Sequence, residues 1–232
     1  MNDLQGFGFI VPHWAYWSWL AIMPLVLMYA VKRAEKNKKE QPLSPAEELA
    51  LDILAEEDPV LHTEGNKLTK IIDKISDFTG VFIALWTITA VVAYAYEVLM
   101  RYAFNMPTIW VHEASFLLFG MQYLMTGAYA LLHGAHVRVD ILYVKLPPRG
   151  RVGMDIFTSV FFFIFALALM GTSWSFFTSS FGMNEISLET WGIQYWPVKM
   201  LMFVGAVLIT LAGISKLIKD IILFRRMGEG VK

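Results

Sequence analysis

EVLMRYAFNMPTIWVHEASFLLFGMQYLMTGAYALLHGAHVRVD, residues 97–140, reads as the end of one apolar helix, a turn, and a second apolar helix, with ionisable groups only at the edges. Glu97 and Arg101 close the first run. Phe104-Asn105-Met106-Pro107 forms the turn, Trp110 and Glu113 open the next run, and His136-Val137-Arg138-Val139-Asp140 ends it. Charged side chains at membrane depth are costly enough that each needs a partner or a job. This stretch therefore sets both the fold class and the search for function.

Working outward, the 232 residues are 56% hydrophobic and only 17% charged, against roughly 25% charged in soluble domains. The deficit is concentrated in five runs, 14–31, 77–100, 109–132, 156–180 and 197–224. Each is close to the ~20 helical residues needed to span a bilayer core. The expected fold is an all-α polytopic helical membrane protein. A four-helix core at 77–226 follows an extra N-terminal transmembrane helix at 1–31 and a cytoplasmic or interfacial connector at 32–76. The first run lacks a basic leader, carries Asp3 before it and Lys32, Arg33, Lys36, Lys38 and Lys39 after it. That charge order is the reverse of a cleavable signal and predicts a retained helix.

Lysine and arginine also crowd 138–151 and the C-terminal tail, while the alternate loops hold only Arg101 and Lys199. The positive-inside rule then puts the N-terminus in the periplasm and the C-terminus in the cytoplasm of a multi-pass inner-membrane protein. Net charge is −1, which offers nothing to a nucleic acid, and there is no cysteine for disulfides, thiolate sites or thiol catalysis. Trp14, Trp17 and Trp19, and again Trp191, Tyr195 and Trp196, are expected in the interfacial aromatic belts.

Within the connector, Ser44-Pro45-Ala46-Glu47 has the form of a capping box and predicts a short acidic helix near 45–57 ended by Pro59. Leu68, Ile71, Ile72 and Ile75, interleaved with Lys67, Lys70 and Lys74, predict a basic amphipathic helix lying on the membrane lipids before the chain turns in. A second flat element is expected at 140–146, stopped by Pro147-Pro148.

Glu97 and Arg101 are four residues apart and share a helix face. Glu113, across the Pro107 turn, is placed to approach the same guanidinium. The group reads as a static clamp or as a proton relay; a relay needs acids deeper in the bilayer, where the sequence has none. His112 and His133 fall about 30 Å apart along one helix at ~1.5 Å per residue, which does not suit a haem between facing helices. His133 and His136 have ligand spacing without a carboxylate cluster to complete a site. No nucleophile elbow, phosphate loop or hydrolytic acid pair is present, so the chain reads as a non-enzyme without metal or cofactor.

The same residues carry a family likeness. Arg101-Tyr102-x-Phe104, Pro107, Trp110, Glu113, Gly127 and Gly134-x-His136-Val-Arg138-Val-Asp140 resemble the small membrane (Q-type) subunit of tripartite ATP-independent periplasmic (TRAP) transporters, over about 74–224. Tyr195-Trp196-Pro197 is closest to members named for mannitol or chloroaromatic compounds. The resemblance implies a large membrane subunit that carries the substrate and sodium sites, a periplasmic binding protein that captures an organic acid or related solute, and a small subunit that scaffolds the large one. It implies subunit-interface or bracing roles for Arg101, Trp110, Glu113, Gly134, His136, Arg138 and Asp140. Where members often have two acids after the tryptophan, this chain has His112-Glu113, and residues 1–73 have no counterpart in the pattern. The outer loop 184–196 holds Glu185 and Glu189 as a docking candidate for a binding protein. A haem-bearing anchor of a redox enzyme and a self-sufficient small carrier or channel are the rival readings.

Overall fold

A computed structural model describes residues 9–37, 65–135 and 146–229. Its helices are α1 (His13–Asn37), α2 (Lys67–Ala84), α3 (Trp86–Tyr102), α4 (Val111–Met125), α5 (Gly127–Leu132), α6 (Pro148–Gly182) and α7 (Trp196–Glu229). Only Leu85 separates α2 from α3, and only Thr126 separates α4 from α5. Each pair therefore acts as one span, giving five helices long and apolar enough to cross a membrane. The all-α polytopic class follows, and among the described residues the sole strand-like feature is the isolated antiparallel bridge Ile186–Gln194.

The spans run past the predicted ends. Lys67–Tyr102 is 36 residues and Pro148–Gly182 is 35, where a ~30 Å core needs only about 20. Basic residues end an apolar run without ending a helix, since lysine and arginine are good helix formers. No proline or glycine interrupts Lys67–Thr79, so the basic stripe continues straight into the span and the expected turn near residue 76 is absent. Thr69, Ile72 and Ser76 face the bundle, while Leu68, Ile71 and Ile75 face outward. Pro147-Pro148, read as a stop, instead starts α6, with Pro147 as its N-cap and Pro148 in the first turn, where a missing N–H costs nothing. The expected acidic helix at 45–57 and most of the flat element at 140–146 lie outside the described residues.

Helix α7 is the centre of the bundle: it packs against α2, α4, α5 and α6, and α6 makes no other extensive contact. Between membrane helices small residues permit the close approach from which packing energy comes. At Gly205 of α7, a Cβ would lie 2.6 Å from the Leu124 carbonyl oxygen of α4. The core runs from Ile83 and Trp86 through Leu118 and Met121 to Leu208 and Ala212.

α1 is part of this core. Pro24 sits inside the helix and has no N–H for the carbonyl of Leu20, four residues earlier. Trp86 supplies the replacement, its indole Nε1 donating to Leu20 O at 2.8 Å. A carbonyl left bare in an apolar medium would be costly, so the two departures from ordinary helix chemistry belong together.

Candidate functional site

The polar groups fall into two clusters, one at each end of the bundle. At the aromatic end, the last turn of α3 places Glu97 and Arg101 on one face, and their side chains form an ion pair. The expected third member is not Glu113. Glu97 Oε2 instead accepts from the backbone N–H of Thr108 at 2.9 Å and from the Thr108 hydroxyl. One carboxylate thus holds α3 to the turn that follows it, with Asn105 in the left-handed region (φ 54°) completing the bend. Glu113 lies in the first turn of α4, is 5% exposed, and both its oxygens lack a hydrogen-bond partner among the described residues. Threonine carries no charge signal, so sequence reading gave its place to the nearest acid.

Trp110 and Trp191 close this end. Trp110 Nε1 donates to Phe9 O at 2.7 Å and Trp191 Nε1 to Val11 O at 3.0 Å. His13 Nε2 donates to Trp191 O at 3.0 Å, and the Tyr16 hydroxyl to Ala114 O at 2.8 Å. The Tyr16 and Trp191 rings meet edge to face at 5.3 Å. Trp191 is 6% exposed and belongs to the core; the expectation of a lipid-belt position fails for it, because its indole has a backbone carbonyl to reach. Trp14 and Trp19, at 73% and 56%, are outward as expected.

The loop after α6 turns at Asn184 (φ 48°), with Asn184 N–H to Phe181 O and Glu185 N–H to Ser180 O, a capped helix end that asparagine tolerates. Ser187 N–H to Ile193 O and Tyr195 N–H to Glu185 O then fold residues 185–195 back on themselves. Glu185 pairs with Lys199 at the start of α7. That charge-assisted hydrogen bond holds the Glu185 carboxyl below its ordinary range. Glu189 and Leu188 remain exposed at the tip.

At the opposite, ionic end, Asp73 of α2 accepts from Ser215 Oγ at 2.6 Å and pairs with Lys219 at 2.7 Å, both on α7. Lys216 lies 3.9 Å from Asp155 of α6 and 3.5 Å from Asp220. Two α7 lysines, read in sequence only as topology markers, in fact tie three helices. The one available signal was spacing: Ser215, Lys219 and Asp220 punctuate an otherwise apolar helix. Nearby, His133 reaches Tyr129 O at 3.1 Å and approaches Asp77 at 3.6 Å. Gly134 takes φ 66°, and its N–H and that of Ala135 return to Leu131 O and Ala130 O. This is the left-handed glycine cap, which accounts for glycine there without invoking a ligand. His136, Arg138 and Asp140 lie outside the described residues.

Between the two ends the helices carry no Asp, Glu, Lys or Arg over 78–96, 114–132, 156–182 and 200–215. Among the described residues no three His, Asp or Glu side chains are placed to hold a metal ion. The arrangement can clamp helix ends and present surfaces; it offers no charged path through its middle.

A search of curated proteins finds no match. The family model for tripartite ATP-independent periplasmic transporters, DctQ component, matches residues 74–223, which takes in α3 to α6 and most of α2 and α7 and leaves out α1. A family match over that share of the chain, on a five-span bundle with its polar groups confined to the ends, shows that this chain belongs to the DctQ component family of TRAP transporters.

Proposed function

We propose that this chain is the small scaffold subunit of a TRAP system for sodium-driven uptake of an organic acid or related solute. It pairs with a large membrane subunit that holds the transport path and works with a periplasmic binding protein. The observation that carries the reading is the band without charge between the two polar clusters. A carrier of an ionised solute needs polar groups at mid-depth, and here they must come from another polypeptide. The lysine and arginine distribution supports the aromatic end facing the periplasm. Arg101 and Trp110 brace that end, and His136, Arg138 and Asp140 brace the cytoplasmic turn. Glu113 is proposed to support the same outer surface from within.

Co-purification with a much larger polytopic membrane protein is the direct test. Arg101→Ala is expected to lower the yield of that complex or its uptake; full yield with full uptake removes the bracing role. Solute flux from this chain alone in vesicles would favour a self-sufficient carrier, and a haem absorption band in purified protein would favour a redox anchor.

For binding-protein docking, the loop 185–195 is the proposed surface. With Glu185 committed to Lys199, Glu189 is the exposed acid available for steering. Reversing the charge at Glu185 and Glu189 is expected to slow uptake at low salt, and unchanged kinetics there would remove the docking role.

A further inference from the structure

We propose that the cleft between α1 and the α3–α4 face is a lipid site that takes one acyl chain of a glycerophospholipid from the leaflet at the aromatic end. The cleft has a volume of about 760 Å³ and is walled by Ala15 and Met23 of α1, Ile88 and Ala93 of α3, and Ser115 and Leu118 of α4. Its width is fixed by tethers. Trp110 to Phe9 O ties the mouth, Trp19 Nε1 to Thr89 Oγ1 at 3.1 Å crosses it, and Trp86 to Leu20 O ties α1 further in. These bonds hold α1 near the bundle without collapsing it onto α3, with small side chains on the floor where helices would otherwise interlock.

Volume separates the candidate occupants. Along α1 the lining runs from Val11 to Leu27, and a helix ~10 Å wide over that ~24 Å length would occupy roughly 1,900 Å³. A transmembrane segment of a partner is too large for the space, whereas a single hydrocarbon chain is slender enough. Its lining is apolar except for three hydroxyls, of Tyr16, Thr89 and Ser115. Tyr16 donates to Ala114 O and Thr89 accepts from Trp19. Ser115 Oγ is buried and has no partner among the described residues, a state that an acceptor would relieve. It lies about 6 Å inside the start of α4, below the interfacial Trp110, which is the depth of glycerol ester carbonyls. A chain in the cleft with its ester on Ser115 satisfies both the void and the hydroxyl. The α1 wall lies outside the region shared with the family, so the site is a property of this chain's extension and is independent of the transport reading.

The test is native mass spectrometry of the delipidated full chain titrated with palmitoyl-oleoyl phosphatidylethanolamine. One adduct is expected to form well before the non-specific ladder. Ser115→Ala is expected to weaken it about fivefold, the value of one hydrogen bond, and Ala93→Phe to abolish it. If Ala93→Phe does not fold, Ser115→Ala decides alone. A phosphatidylethanolamine carrying a diazirine in its acyl chain is expected to label Ala15, Met23 or Ala93. The proposal is overturned if both variants keep the wild-type first adduct, if labels fall only on outward residues such as Val91 and Leu99, or if the cleft cross-links to residues 1–8 or a partner helix in place of lipid.

Discussion

The exchange between Pro24 and Trp86 can be measured with a double-mutant cycle. Trp86→Phe removes the indole N–H from Leu20 O, 2.8 Å away, and Pro24 cannot supply a donor in its place. The carbonyl is then unsatisfied between α1 and the core, where Trp86 is 4% exposed. An unsatisfied buried polar group costs about 1–3 kcal/mol, and side-chain hydrogen bonds in helical membrane proteins measure about 0.6–1.7 kcal/mol. A loss near 1 kcal/mol is therefore expected beyond the packing cost of the smaller ring. In a Pro24→Ala background, the main chain at position 24 regains its N–H, which donates to Leu20 O and restores the helix bond. The packing cost of Trp86→Phe persists there while the hydrogen-bond cost vanishes, so the cycle isolates a coupling of about 1 kcal/mol. Equilibrium unfolding in mixed micelles gives the four stabilities, and amide exchange along α1 reports whether the helix has detached. Equal costs of Trp86→Phe in both backgrounds would refute the exchange.

Other outcomes follow from single contacts. Asp73→Asn strips the charge that faces Lys219, whose side chain is 11% exposed, and is expected to cost about 3 kcal/mol as a broken buried pair; Asp73→Leu with Lys219→Met is expected to recover most of it in the unfolding midpoint. Gly205→Ala puts a Cβ 2.6 Å from Leu124 O and is expected to lose about 1–3 kcal/mol by forcing α4 and α7 apart. Gly171→Ala, with nothing within 4 Å, is expected to be neutral or to gain up to ~1 kcal/mol of helix propensity. For the 185–195 loop, the Glu185 carboxyl is held below its ordinary 4.5, so its contribution is complete above that value and is lost as pH falls through the lowered one. Amide exchange in the loop is expected to be flat from pH 8 to 5 once corrected for intrinsic rates and to quicken only under more acid conditions, and Glu185→Gln should abolish that acid step.

The spans were legible because apolar length is a local property, and so was the Glu97–Arg101 pair, whose four-residue spacing sits on one helix face. Contacts between helices were not. Thr108 as the partner of Glu97 depends on how a turn folds, and Asp73 reaches Ser215 and Lys219 across 142 and 146 positions of sequence. Trp191 illustrates the same limit: its indole reads as belt-forming until Val11 O arrives from α1. Helix ends were misjudged for a different reason. Solvation of lysine ends an apolar run but leaves the backbone ladder intact, so α2 begins ten residues before its hydrophobic part suggested.

The contacts that seat α1 have a lopsided grammar. Trp86, Trp110 and Trp191 each donate to a main-chain oxygen, at Leu20, Phe9 and Val11. The addresses are peptide groups, which every residue type possesses, while the readers are indoles that only tryptophan provides. The extension can therefore drift in side-chain identity at positions 9, 11 and 20 and keep its place, whereas the three readers cannot be exchanged. A foreign apolar helix with a proline at the matching position would be accepted in the same seat, which makes α1 a replaceable module on a fixed receptacle.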